Sequence, residues 1–232
     1  MRTLSVLFAL ALVGLVAADQ FDTNLASIQL LTDKRVQTEL KVTEAQRKKM
    51  NSHAAEFNKQ AEAYRKEMEK KSDGGKKPVQ PDRQREMQML TSLKAKVLGE
   101  LSQVQIKRLR EISLQAVGVT ALGDGEVAKR VGITDAQKTQ IQKLIRKGLE
   151  DANKVVADAN KRAESSLKPA KTQAEVAKWQ QDFQKKSMEE QRKAQPQIEK
   201  IRTQTISSVL AVMNAKQKAA WKALLGAPFK AD

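Results

Sequence analysis

The 232-residue chain carries 43 Lys and Arg against 27 Asp and Glu, a formal net charge of +16, with no cysteine, one histidine and 3% aromatic residues. Lacking cysteine, it has no disulfide, no thiolate nucleophile and no cysteine-linked lipid, and a single histidine leaves little for a nucleophilic triad or a multi-histidine zinc site. A field this positive draws anionic partners at low salt without naming them, and so few aromatics argue against base-stacking platforms.

Met1-Arg2-Thr3, the apolar run Leu4 to Val16 and the small residues Val16-Ala17-Ala18 have the layout of a secretory signal peptide over 1–18, cleaved near Ala18. Its apolar run of 13 residues is short of the roughly 20 a bilayer span needs, and no later segment is long and apolar enough to cross. The expectation is an exported protein, periplasmic or extracellular, with no transmembrane span. From Asp19 onward there are 42 basic and 27 acidic residues, hence +15; the first unit, 19–118, has 20 against 14 and the second, 119–232, has 22 against 13.

In the first unit, Val42-Thr43-Glu44-Ala45-Gln46 opens a helix. Thr43 is a good N-cap, and Gln46, three positions on, is placed to return a hydrogen bond to the cap's own N–H, forming a capping box. Met50, Ala54, Phe57, Ala61, Tyr64 and Met68 then step by four and three, the 3.5-residue pattern of a seam between helices. His53 lies beside that row, as a surface or seam residue. The helix covers about 30 residues, or ~45 Å, until Ser72 to Pro81, rich in Gly and Pro, stops it. Asp82 caps a second helix carrying Met87, Leu90, Leu93 and Val97, and Ser102 with Gln105 repeats the capping box.

Gly118 to Gly125 separate the two units. Ile133-Thr134-Asp135-Ala136-Gln137 starts the next rod, whose stripe runs Ile141, Leu144, Ile145, Leu149, Ala152, Val155, Val156, Ala159 and Ala163. Leu167-Lys168-Pro169 ends it. Thr172 with Glu175 forms a further capping box before Val176, Trp179 and Phe183, and Pro196 is expected to kink or split a helix that resumes with Ile198, Ile201, Val209 and Leu210. Met213-Asn214-Ala215-Lys216-Gln217 is the last motif, with Asn214 as cap and Gln217 as its partner.

The halves align: Val36, Leu40, Val42, Thr43 and Gln46 match Val127, Val131, Ile133, Thr134 and Gln137, and Val97-Leu98, Leu101, Ser102 and Gln105 match Val209-Leu210, Met213, Asn214 and Gln217. Motif starts are separated by 59 residues in the first unit and 80 in the second. The fold class read from these patterns is all-α, built of long antiparallel amphipathic helices, elongated or cradle-like and internally duplicated.

The apolar-Thr-x-x-Gln motif, repeated around long basic helices behind a signal peptide, resembles the Spy/CpxP-like LTxxQ family of periplasmic proteins. Ile133-Thr134-Asp135-Ala136-Gln137 and Met213-Asn214-Ala215-Lys216-Gln217 carry the resemblance best, and the first unit is a more diverged copy. The last motif departs from the pattern, having Met213 and Asn214 for Leu and Thr. The resemblance implies a thin, curved helical cradle, usually dimeric, that binds unfolded proteins without ATP through a basic, partly apolar face. Two units in one chain would make a monomeric pseudo-dimer, with a homodimer as the alternative.

The expected function follows: an exported, stress-response chaperone for unfolded or partly folded proteins, not an enzyme, with no catalytic residue, metal site or cofactor. Lys143, Arg146, Lys147, Lys154, Lys161 and Arg162 are the candidate basic contacts to clients, and Trp179 and Phe183 the candidate apolar ones. Rival readings are an adaptor in envelope-stress signalling with one dedicated partner, and a polyanion binder for acidic lipid, anionic envelope polymers or nucleic acid, although no base-reading module points to specific nucleic acid.

Overall fold

A computed structural model describes residues 19–72, 80–170 and 172–230. The expected signal peptide over 1–18 and most of the Ser72 to Pro81 break lie outside the described residues. All regular structure among those residues is helical, with no strand, and the chain forms two compact units: residues 19–113 with 227–230, and residues 114–226. The division thus falls at 113/114 where the glycine pattern had suggested 118/119, and the C-terminal segment belongs to the first unit. The reason is packing: Arg108 donates a 2.7 Å hydrogen bond to the Ala227 carbonyl, and Phe229 packs on the first unit's core.

The first unit comprises α1 (Gln20–Leu25), a 3₁₀ segment (Ile28–Thr32), α2 (Lys34–Glu39), α3 (Glu44–Lys71), α4 (Arg83–Gly99) and most of α5 (Gln103–Val117). Cross-links from His53 to Glu100, Glu56 to Lys96 and Glu67 to Arg85 set α3 antiparallel to α4. At the far end the Asp82 N–H donates to the Tyr64 hydroxyl at 2.6 Å while the Arg85 guanidinium lies 4.8 Å over the Tyr64 ring. The core gathers Val36, Leu40, Val42, Leu98, Leu101, Ile106 and Leu109 near the motif end. Along α4 the inward residues are Met89, Leu93 and Val97, while Met87 and Leu90 are 63% and 50% exposed. This corrects the expected stripe: counting back from Val97 and Leu93 by fours reaches Met89, and Met87 falls about 120° round the helix from Leu93.

The second unit contains a 3₁₀ segment (Gly118–Gly123), α6 (Gly125–Val131), α7 (Asp135–Ser165), α8 (Gln173–Val212) and α9 (Ala215–Leu225). The glycine-rich stretch is packed here: Val119, Ala121 and Leu122 are buried. Contacts of Asn160 with Ser187 and of Gln137 with the Val212 carbonyl make α7 and α8 an antiparallel pair. Their seam buries Ile141, Val155, Ala159 and Ala163 from α7 and Ala194 and Val209 from α8. Leu149 alone of the expected α7 stripe stands exposed, at 57%.

Pro196 does not split the last long rod, because α8 runs unbroken for 40 residues through it. Pro196 is exposed, on the side of the helix away from Ala194 and Ile198. There the missing N–H and the ring face water, where helix hydrogen bonds are already the longer ones, so the seam keeps its geometry.

The motif ends of the two units share one local structure. Lys41 and Gly132, each two residues before a motif threonine, take left-handed φ values of 52° and 79°. Behind them the Val42 N–H reaches Gln37 O and the Ile133 N–H reaches Ala128 O, both at 2.9 Å, which closes α2 and α6 in the same way.

Candidate functional site

All four motif caps form. Thr43, Thr134 and Asn214 accept from the backbone N–H of Gln46, Gln137 and Gln217, and each glutamine Oε1 accepts from its cap's N–H. Ser102 and Gln105 do the same at 3.3 and 2.8 Å. The glutamines do more than cap. Gln46 and Gln105 hydrogen-bond each other through both amides, at 2.9 and 3.2 Å, and Gln137 and Gln217 do so at 3.0 and 2.8 Å.

Each amide also donates to the backbone that closes the opposite motif. Gln46 reaches Glu100 O and Gln105 reaches Leu40 O; Gln137 reaches Val212 O and Gln217 reaches Gly132 O. One amide therefore fills a cap with its oxygen and ties two helix starts together with its nitrogen. A glutamate at this position would cap equally well and fail at the tie, because it has no N–H to give. The repeated motif is an architectural clasp at the base of each long-helix pair.

Between α7 and α8, beside the second 3₁₀ segment, lies an open groove of about 160 Å³. Val117, Val119, Ile145, Leu149, Ile198, Ile201 and Ile206 give it aliphatic walls, and Leu149 and Val117 stand 57% and 55% exposed at its mouth. Among the described residues Arg202 is the one charged residue lining it. Gly148 sets the floor: a Cβ there would collide with the Thr205 hydroxyl and sit 3.0 Å from its methyl carbon. Gly148 stands fourteen residues after Thr134, the place Phe57 holds after Thr43, and Thr205 stands nine before Asn214, the place Leu93 holds before Ser102. The large pair of the first unit is replaced by a small one in the second, so α7 and α8 come close at this level.

The candidate basic contacts fall on another face. Lys143, Lys147, Lys154 and Lys161 are exposed and lie within about 40° of one another around α7, roughly opposite the seam row of Ile141, Ala152 and Ala159. Lys147 pairs with Asp151 at 3.2 Å, and Arg162 with Glu190 at 3.1 Å. Hydrogen bonds from Lys193 first, then Arg162, hold the Glu190 carboxyl below its ordinary range. Such surface pairs exchange readily for an anionic partner. Arg146 is exposed on the flank.

Trp179 and Phe183 stack with ring centroids 5.2 Å apart and planes 3° from parallel, half-buried at the far end of α8. The structure thus does not gather the eight candidate contacts into one patch. Sequence reading passed over Ile206, Arg202 and the Gly148–Thr205 approach; the signal lay in Ile206, which stands to the other side of Ile198 from Ile201 and so widens the apolar face of α8.

His53 meets Glu100 at 3.1 Å on the α3 seam, and Lys49 joins the same carboxylate at 3.0 Å. Hydrogen bonds from His53, then Lys49, lower the Glu100 pKa. Among the described residues no three His, Cys, Asp or Glu side chains come together as a metal-holding group. Compared with protein-family models, with curated proteins and with solved structures, the chain gives no match.

Proposed function

We propose that the protein holds aggregation-prone polypeptides without ATP, taking their exposed aliphatic segments into the second unit's groove while the basic surface draws acidic chains towards it. The observation that carries this reading is the groove itself: an aliphatic trough whose rim residues Leu149 and Val117 are more than half exposed. Exposed large aliphatics around a concavity are a common mark of a binding surface. The strong positive charge supplies long-range attraction that salt weakens, and apolar contact supplies hold that salt does not. Matching clasps and matching helix closures in both units support an internal duplication, and with it the LTxxQ-type resemblance.

The test is light scattering of two unrelated unfolding proteins with the mature chain, without ATP and across a salt series. Suppression of both, reduced but not abolished by salt, is the expected result; no suppression at any salt would end the client-holding reading.

The lysine row on the back of α7 favours a second activity, binding of anionic polymers. That binding would fall steeply with salt and be indifferent to groove substitutions, which separates it from client holding.

A further inference from the structure

Beyond client holding, we infer that the second unit's groove binds a medium-chain fatty acid, with the aliphatic tail between α7 and α8 and the carboxylate on Arg202. The chemistry of the lining selects this ligand. The walls are aliphatic, and among the described residues no acidic side chain lines the groove and Arg202 is its one cation, standing at the rim with its side chain 66% exposed.

The two lining hydroxyls have their hydrogens committed, Thr205 to the Ile201 carbonyl at 2.8 Å and Thr120 to the Val117 carbonyl at 2.6 Å. They offer a ligand no donor, which leaves the guanidinium as the groove's side-chain donor for an anion. Its present partner, Glu199, sits 3.6 Å away and is itself 60% exposed, a long pair that a ligand carboxylate can replace with a bidentate one. The surrounding charge points the same way, since residues 114–226 hold 21 Lys and Arg against 12 Asp and Glu.

Size narrows the choice further. An apolar cavity of about 150 Å³ takes a six-carbon ring, so a groove of about 160 Å³ accepts about six carbons, and its open mouth leaves room for a slightly longer chain. The ligand is therefore a fatty acid of about six to eight carbons. The close approach of Gly148 and Thr205 closes the floor of the groove at this level.

The experiment is a titration of the mature, full-length protein carrying labelled isoleucine methyls with hexanoate, octanoate, decanoate and dodecanoate, and with 1-octanol. Saturable shifts at Ile145, Ile198, Ile201 and Ile206, with Ile28, Ile106 and Ile112 still, are expected. Affinity should rise about fourfold per methylene up to eight carbons and then level off. Arg202→Gln should weaken octanoate about two- to fivefold, the scale of an exposed ion pair, and leave octanol unchanged.

Shifts spread over the isoleucines of both units, affinity that keeps climbing to dodecanoate, or an octanoate affinity indifferent to Arg202→Gln would each overturn the inference. A protein that suppresses aggregation yet binds no octanoate would retain the client reading alone. Octanoate binding without suppression would leave this inference standing by itself.

Discussion

Replacing the buried amide of Gln217 with a carboxylate is the sharpest test of the clasp. Gln217, 5% exposed, accepts from the Asn214 N–H at 2.9 Å and from the Gln137 amide at 3.0 Å, and donates to Gly132 O at 2.6 Å and Gln137 Oε1 at 2.8 Å. Gln217→Glu keeps the shape and both acceptor roles. At neutral pH it converts both donated bonds into oxygen–oxygen contacts and places a charge in a buried site built for a neutral amide. Uncompensated buried charges of this kind cost about 3–5 kcal/mol, a large share of the ~5–15 kcal/mol that stabilises a domain.

The same energy appears as a raised folded-state pKa, by about 2–3.5 units at ~1.4 kcal/mol each. For an acid whose folded pKa is raised, the penalty is full above that folded value and fades as pH falls towards the unfolded value. Urea unfolding at pH 8 and pH 5, with wild type and exposed Gln204→Glu measured alongside, gives the answer. The expected outcome is a loss of about 3–5 kcal/mol at pH 8 that shrinks by at least half at pH 5, while the control stays within about 0.5 kcal/mol of wild type. A loss below about 1 kcal/mol at pH 8, or one equal at both pH values, would refute the clasp as described.

Gly148→Ala should destabilise the second unit by up to about 2 kcal/mol, because a clash with Thr205 outweighs the ~1 kcal/mol gain in helix propensity. In a Thr205→Ala background the same change should become neutral or stabilising, and strict additivity in the double-mutant cycle would contradict the close approach. In the first unit, hydrogen bonds from Lys71, then Arg85, lower the Glu67 carboxyl from 4.5 to about 2. Its contribution is therefore present above pH 4.5 and lost as pH falls towards 2, so Glu67→Gln should flatten the acid limb of the stability curve, and an unchanged limb would dismiss the pairing. Charge reversal at Lys147, Lys154 and Lys161 should slow client capture at low salt and leave hold at high salt intact, since the row lies away from the groove; stopped-flow binding to a labelled unfolded client reads both.

Local chemistry fixed much of this protein from sequence. N-cap residues followed three positions later by glutamine mark helix starts at Thr43, Ser102, Thr134 and Asn214, because both hydrogen-bond partners lie within one turn. Apolar rows at three- and four-residue steps identify α3 and α7 as seam helices for the same local reason. Where two registers compete, that signal fails: Met87 and Leu90 read as well as Met89, and only packing against α3 chooses among them.

Tertiary structure decided the rest, because the partners are far apart in the chain. The second function of each glutamine needs an amide from 59 or 80 residues away. Whether Leu149 completes a seam or stands at a groove mouth depends on how closely Gly148 and Thr205 bring α7 to α8. Pro196 reads as a break until it is seen on the water-facing side of a packed helix. A lysine's spacing tells which helix face it occupies, but whether that face lies beside an aliphatic groove or opposite one is set by the neighbouring helix.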